Sequence, residues 1–115
     1  MKVKIPDNIS IYMACGNKDM RKQIDGLNAI VSQSFDLDPF SNAIFLFSRR
    51  RKDRIKALLW EGDGFLLMYK RSENGKLQWP KNNGQVREIS PIQYRWLIEG
   101  LSIDQKKLYR ESMIK

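Results

Sequence analysis

The sequence predicts an α+β fold: a mostly antiparallel sheet built as a meander, packed by one N-terminal helix and by helices near the C-terminus. Three observations carry this expectation. Apolar and polar residues run through 54–60 and 65–71 on either side of Glu61-Gly62-Asp63-Gly64, a compact hairpin signal. Met20, Ile24, Leu27, Val31 and Phe35 recur at spacings of three or four, which places them on one helix face. Ser90-Pro91-Ile92-Gln93 joins a capping serine, a proline at the first helical position and a glutamine three residues on.

Taken in order, Ile9 to Cys15 alternates Ile9, Ile11 and Met13 with smaller or polar residues, so a strand is expected there, ending at Gly16. Asn17 or Asp19 then offers an N-cap for a helix over about 19–35. Gly26 inside that helix costs about 1 kcal/mol relative to Ala, which predicts close packing against a neighbour. Asp36-Leu37-Asp38-Pro39 ends the helix, because the residue before proline avoids helical geometry. Ala43 to Phe47 reads as a buried strand. Within 54–60, Ile55, Ala57 and Leu59 fall on one face, with Lys56, Leu58 and Trp60 on the other.

A second turn at Glu73-Asn74-Gly75 leads to an expected strand over Lys76-Leu77-Gln78-Trp79, closed by Pro80. The capping serine at 90 opens a helix over about 91–99, carrying Tyr94, Trp96, Leu97 and Ile98 and stopping at Gly100. Ser102-Ile103-Asp104-Gln105 repeats the capping pattern and opens a final helix over about 103–112. Two helices joined through Gly100-Leu101 also fit a helix-turn-helix, with Lys106, Lys107 and Arg110 toward DNA. Any helical hairpin with a glycine corner fits that pattern, and a solvated tail is the simpler account of those charges.

At 115 residues the chain suits a single domain spanning 1–115. No stretch approaches the roughly 18 apolar residues of a membrane span, and the N-terminus has no apolar signal core. Cys15 is the single cysteine, so no internal disulfide forms; a cytoplasmic, reduced location is expected. The chain has no histidine, which removes Ser-His and Cys-His nucleophile pairs and the usual zinc sites. Cys15 follows an apolar run and reads as a buried thiol. A nuclease built on Asp19, Asp25, Glu61 and Asp63 is disfavoured. Six residues of helix part Asp19 from Asp25, and Asp63 is accounted for as a turn former. The expectation is therefore no enzyme, no metal and no cofactor.

Charge points elsewhere. The chain carries 21 Lys+Arg against 13 Asp+Glu, a net charge of +8. Residues 1–46 hold five basic and five acidic side chains, so the whole excess lies in 47–115. Five of the six residues Arg49-Arg50-Arg51-Lys52-Asp53-Arg54 are cationic, and they run straight into an expected strand. Such a patch repels itself unless an anion uses it, and nucleic acid is the commonest such anion. Arg49, Arg50, Arg51, Lys52 and Arg54 are the candidate phosphate contacts, with Lys56, Lys70 and Arg71 extending the patch across the hairpin. The competing account is a charged connection that protects a sheet edge. A second functional class is a protein-docking module anchored by Trp60, Phe65, Tyr69, Trp79 and Trp96. Of these, Trp60, Phe65 and Trp96 are expected in the core, with Trp79 left open.

Several separated motifs resemble a known family. Ile9 to Asn17, then Asp19 to Leu27, are similar to the accessory protein called TnpB of insertion-sequence family sixty-six. So are Asp38-Pro39-Phe40 followed by Phe45, Phe47, Arg49 and Arg50. The most specific part is Trp60-Glu61-Gly62-Asp63-Gly64-Phe65 with Tyr69-Lys70-Arg71 and Trp79-Pro80. Ser72 and Leu77 depart from the apolar and aromatic residues expected in relatives. The resemblance implies a helper in moving a bacterial mobile element, encoded beside a separate, larger transposase. It implies as partners DNA (element ends or non-specific duplex), the transposase and the element's other accessory protein, with homo-oligomerisation open and no membrane.

Overall fold

A computed structural model describes residues 8–15, 22–48, 53–73, 75, 77–80 and 85–104. Their order is β1 (Ser10–Ala14), α1 (Ile24–Ala29) with a π-helical extension (Ile30–Ser34), β2 (Ala43–Ser48), β3 (Arg54–Trp60), β4 (Phe65–Arg71), β5 (Val86–Ile89) and α2 (Pro91–Ile98). The five strands form one sheet in the order β4-β3-β2-β1-β5. The class is α+β, as expected, but the sheet is mixed. The meander holds for β2, β3 and β4, which pair antiparallel. β1 instead lies parallel to β2, with Ser10 opposite Ala43 and Met13 opposite Leu46. A parallel pair needs a crossover, and the segment carrying α1 supplies it. β5 then pairs antiparallel with the free side of β1.

Burial explains why β2 sits in the middle. All six of its residues are buried, so both faces of the strand need cover. On one face Phe45, Phe47 and Leu58 pack with Leu27 and Val31, joined by Ile24, Ile30, Phe35 and Leu37 from the crossover. On the other, Ile11, Met13, Ile44, Leu46, Ile55 and Ala57 pack with Leu77, Trp79, Tyr94, Leu97 and Ile103. The alternation expected along β3 holds: Ile55, Ala57 and Leu59 take the α2 side, Leu58 the α1 side.

The helices differ from expectation mainly at their ends. α1 begins after Gln23, whose side chain makes no capping bond, and the expected caps Asn17 and Asp19 lie outside the described residues. A Cβ at Gly26 would meet Lys22 Cβ at 3.1 Å, so the crowding comes from the preceding turn and not from a neighbouring element. The π turn closes through Phe35 N–H to Ile30 O at 3.1 Å, and Asp36 at φ 55° then takes the left-handed conformation. α2 carries the expected capping box: Gln93 N–H donates to Ser90 Oγ at 3.2 Å, and Ser90 N–H to Gln93 Oε1 at 2.8 Å. It closes on Gly100 at φ 83°. Leu101 N–H reaches Trp96 O at 2.8 Å and Gly100 N–H reaches Leu97 O at 3.1 Å.

Two expected elements are corrected. Residues 77–80 are not a strand; Leu77 and Trp79 dip into the α2-side core with Gln78 exposed between them. Residues 101–104 are not helical, and the remainder of the expected 103–112 helix, with Lys106, Lys107 and Arg110, lies outside the described residues.

Trp79 is pinned in that core. It is 4% exposed, and its Nε1–H donates to the carbonyl of Ala14 at 2.8 Å. Trp79→Phe keeps an aromatic ring there but strands the Ala14 carbonyl. A loss of about 1–3 kcal/mol in urea unfolding is expected; an unchanged midpoint with an unchanged m-value contradicts the assignment.

Candidate nucleic-acid interface

The strand directions gather one end of the sheet. The C-terminal ends of β1, β2 and β4 and the N-terminal ends of β3 and β5 all lie there, which the registers fix. Arg49, Arg50, Arg51 and Lys52 lie outside the described residues. The residues that bracket them are anchored at this end. Ser48 is fully buried and its Oγ–H donates to Arg54 O at 3.0 Å, while Asp53 O accepts from Ser72 N–H at 2.7 Å.

Arg54 stands directly opposite Arg71 on the neighbouring strand. Opposed residues of an antiparallel pair share a face, so both arginine side chains leave the sheet on the α1 side. Like charges in that position destabilise a sheet. Arg71 is partly offset by Glu73: its Nε–H donates to Oε1 at 2.8 Å and Nη2 lies 2.7 Å from the same oxygen. With side chains 56% and 70% exposed, that ion pair contributes little. Arg54 makes no ion pair among the described residues, and its Nε–H is buried without an acceptor. The carboxylate of Asp53, next in sequence, is the nearest local counterweight along the chain.

The other two hairpin cations part from this pair. Lys56 shares its face but is 5% exposed, and its Nζ donates to the Lys22 carbonyl at 2.9 Å. Its long stem passes inward past Phe47, its partner on β2, and the ammonium ties β3 to the entrance of α1. Lys56 is thus a structural tie and leaves the exposed set. Lys70 pairs with Ile55 and so faces the α2 side, where it borders an open cavity of about 460 Å³ shared with Leu77, Ile98 and Glu99. Lys70 and Arg71 leave the strand on opposite faces, yet Arg71 and its partner Glu73 border the same cavity as Lys70.

Two more ionisable groups at this end are structural. Arg87, at the start of β5, grips Asp104 in a fork: Nη1–H to Oδ2 at 3.2 Å and Nη2–H to Oδ1 at 3.1 Å. That hydrogen bond pushes the guanidinium pKa up, so it stays charged. Cys15 is fully buried, and burial pushes its thiol above the ordinary range, against a smaller lowering by Arg87. A protonated, buried thiol is not a nucleophile.

Of the acidic residues weighed as nuclease ligands, those among the described residues do not converge. Asp25 lies in the first turn of α1. Glu61 and Asp63 sit in the β3–β4 turn, at the far end of the seven-residue strand β3. Asp19 lies outside the described residues. Among those described, no three His, Cys, Asp or Glu side chains group as metal ligands do.

The aromatic residues expected in the core reach it only in part, with Phe65 packed against the α1-side cluster, while Trp79, left open by the sequence, is fully placed there. Trp79 is core, whereas Trp60 and Phe65 are half-buried at the hairpin tip and Trp96 is half-buried on α2. Sequence reasoning named Phe40 within a family motif but gave it no role at this tip, against which its ring leans; its proximity depends on the crossover and has no local signal.

Comparison with known proteins places the chain in a family. The family described as IS66 Orf2 like protein matches residues 9–108. Two proteins of Sinorhizobium fredii (strain NBRC 101917 / NGR234) are similar, both described as uncharacterized. One, y4jC, is 32% identical over 93 residues, 81% of this chain and 80% of the relative. The other, y4hO, is 31% identical over 94 residues, 82% of each chain. No solved structure matches the chain. Among the described residues, no helix is long and apolar enough to cross a membrane.

Burial at Cys15 and Tyr94 sets an alkaline limit, since burial also pushes the Tyr94 phenol up. The unfolded chain loses these protons first, at about pH 8.5 and 10. Stability contributed by the neutral groups is complete below those values and falls as pH rises through them. Urea midpoints should decline above about pH 8.5, and Tyr94→Phe should flatten the steeper part above pH 10; a midpoint rising with pH contradicts this.

The chain belongs to the IS66 Orf2-like family, and that membership implies an accessory role in the transposition of IS66-type insertion sequences.

Proposed function

We propose that the protein assists transposition as a non-catalytic DNA-binding factor, gripping backbone phosphates at the end of the sheet where β3 begins and β4 ends. The observation that carries this reading is the opposed pair Arg54 and Arg71. Two arginines fixed opposite one another on neighbouring strands, one with a buried, unanswered Nε–H, are stabilised by an anion that bridges them. Arg49, Arg50, Arg51 and Lys52 closely precede Arg54 in sequence and add four positive charges to that segment. The net charge of +8 adds attraction at longer range. Phosphate contacts of this kind position a duplex without reading its bases.

Within this proposal the hairpin cations have unequal roles. Arg54 and Arg71 contact phosphate. Lys70 works from the opposite face as a secondary attraction. Lys56, being buried, contributes to the fold and not to binding.

Mobility-shift titrations on element-end and random duplexes, at two salt concentrations, test the reading. Affinity should fall steeply with salt, with log K dropping by about 0.9 per tenfold salt for each phosphate contacted. Arg54→Ala/Arg71→Ala should weaken binding and reduce that salt slope by about 2 while the protein stays folded. Arg49→Ala/Arg50→Ala/Arg51→Ala should do so more strongly. Lys56→Met should leave affinity unchanged. Parental affinity in both arginine variants contradicts the proposal, and loss of binding in a folded Lys56→Met variant contradicts the placement of that lysine.

A further inference from the structure

The opposite end of the sheet has the reverse character, and we infer that it docks a basic, apolar segment of a partner protein. Trp60 and Phe65 flank the β3–β4 turn with ring centroids 4.8 Å apart. Phe40, from the crossover between α1 and β2, leans on both: edge-on to Trp60 at 4.9 Å and tilted against Phe65 at 5.2 Å. Phe40 nonetheless remains 57% exposed. Its backbone is held in place, since Asp38 Oδ1 accepts from Phe40 N–H at 2.9 Å and Asp38 O accepts from Ser41 N–H at 3.1 Å. A fixed, solvent-facing aromatic cluster of this kind anchors protein interfaces at small conformational cost.

Charge identifies the occupant. The two segments that build the tip, 34–42 and 60–66, contain Asp36, Asp38, Glu61 and Asp63 and no lysine or arginine, in a chain of net charge +8. All four carboxylates are exposed, and none makes an ion pair among the described residues. This rim repels a polyanion and attracts cations, and arginine or lysine heads find favourable seats over the faces of Trp60 and Phe40. The complementary partner presents cationic side chains interleaved with apolar ones. β3 spans seven residues, so this tip stands about 20 Å from the Arg54–Arg71 pair. Both ends are therefore able to be engaged at once, and the inference stands or falls independently of DNA binding.

The test is a titration of the full-length, isotope-labelled protein, followed by NMR at the three tryptophan indole N–H signals. The probes are a short synthetic peptide of leucine, glycine and arginine and its charge-reversed counterpart with glutamate for arginine. The basic peptide should shift the Trp60 signal saturably and leave that of Trp79 unmoved, and the acidic peptide should shift neither. Affinity should fall at least about tenfold in Phe40→Ala, and again in the Asp36→Asn/Asp38→Asn/Glu61→Gln/Asp63→Asn variant. Because these side chains are exposed, both variants should retain the parental far-ultraviolet spectrum. No Trp60 shift, equal shifts from both peptides, or undiminished affinity in either variant overturns the inference. A Trp60 shift that tracks protein concentration without peptide also overturns it, by assigning the tip to a second copy of the chain.

Discussion

The burial of β2 on both faces is the constraint from which the rest of the architecture follows. Ala43–Ser48 offers no polar face to water, so layers are required above and below it. The chain meets that requirement with α1 on one side and with α2 and the 77–79 segment on the other. Placing β1 parallel to β2 follows from the same need, because the crossover that carries α1 over one face returns the chain to the starting end of the sheet. Once both faces are occupied, only the sheet's edges and its two ends remain for recognition.

Those ends differ in chemistry because β3 and β4 are of equal length and paired in strict register. Arg54 meets Arg71 at one end and Trp60 meets Phe65 at the other. Charge and aromatic surface are thereby separated along one rigid hairpin. Buried and bonded groups divide the same way: Lys56, Arg87 and Cys15 have the residue types of functional groups but hold the structure together. Among the described residues, Arg54 and Arg71, the latter in an exposed pair with Glu73, stand at one end and Phe40 with its acidic rim at the other. Two separated surfaces suit the accessory role that family membership implies.

Local signals were readable in the sequence; pairings between distant segments were not. The hairpin strands 54–60 and 65–71 coincide with β3 and β4 because alternation and a Gly-rich turn are both local. The Ser90–Gln93 capping box is likewise local. The parallel β1–β2 pairing was hidden because a sequence of strands says nothing about their order in space. β5 was missed because Val86-Arg87-Glu88-Ile89 is short and half charged, and it gains its strand character from pairing with β1. The core place of Trp79, left open by the sequence, and the half-exposed place of Trp60, expected in the core, have a related reason. Burial of Trp79 depends on a carbonyl 65 residues away, whereas Trp60 sits where β3 runs out of neighbours. In the basic segment, composition identified the charge. Only register revealed that Arg54 stands opposite Arg71, and only burial with the bond to Lys22 set Lys56 apart from them.

The most direct test of the central claim is a backbone amide map of the full-length protein with and without a short random duplex. Cationic recognition at the start of β3 predicts chemical-shift changes concentrated at Ser48, Asp53 to Ile55 and Lys70 to Ser72, with Phe40 and the Trp60–Phe65 turn unaffected. Changes centred on the aromatic turn, or none in either region when duplex is in excess, would contradict it.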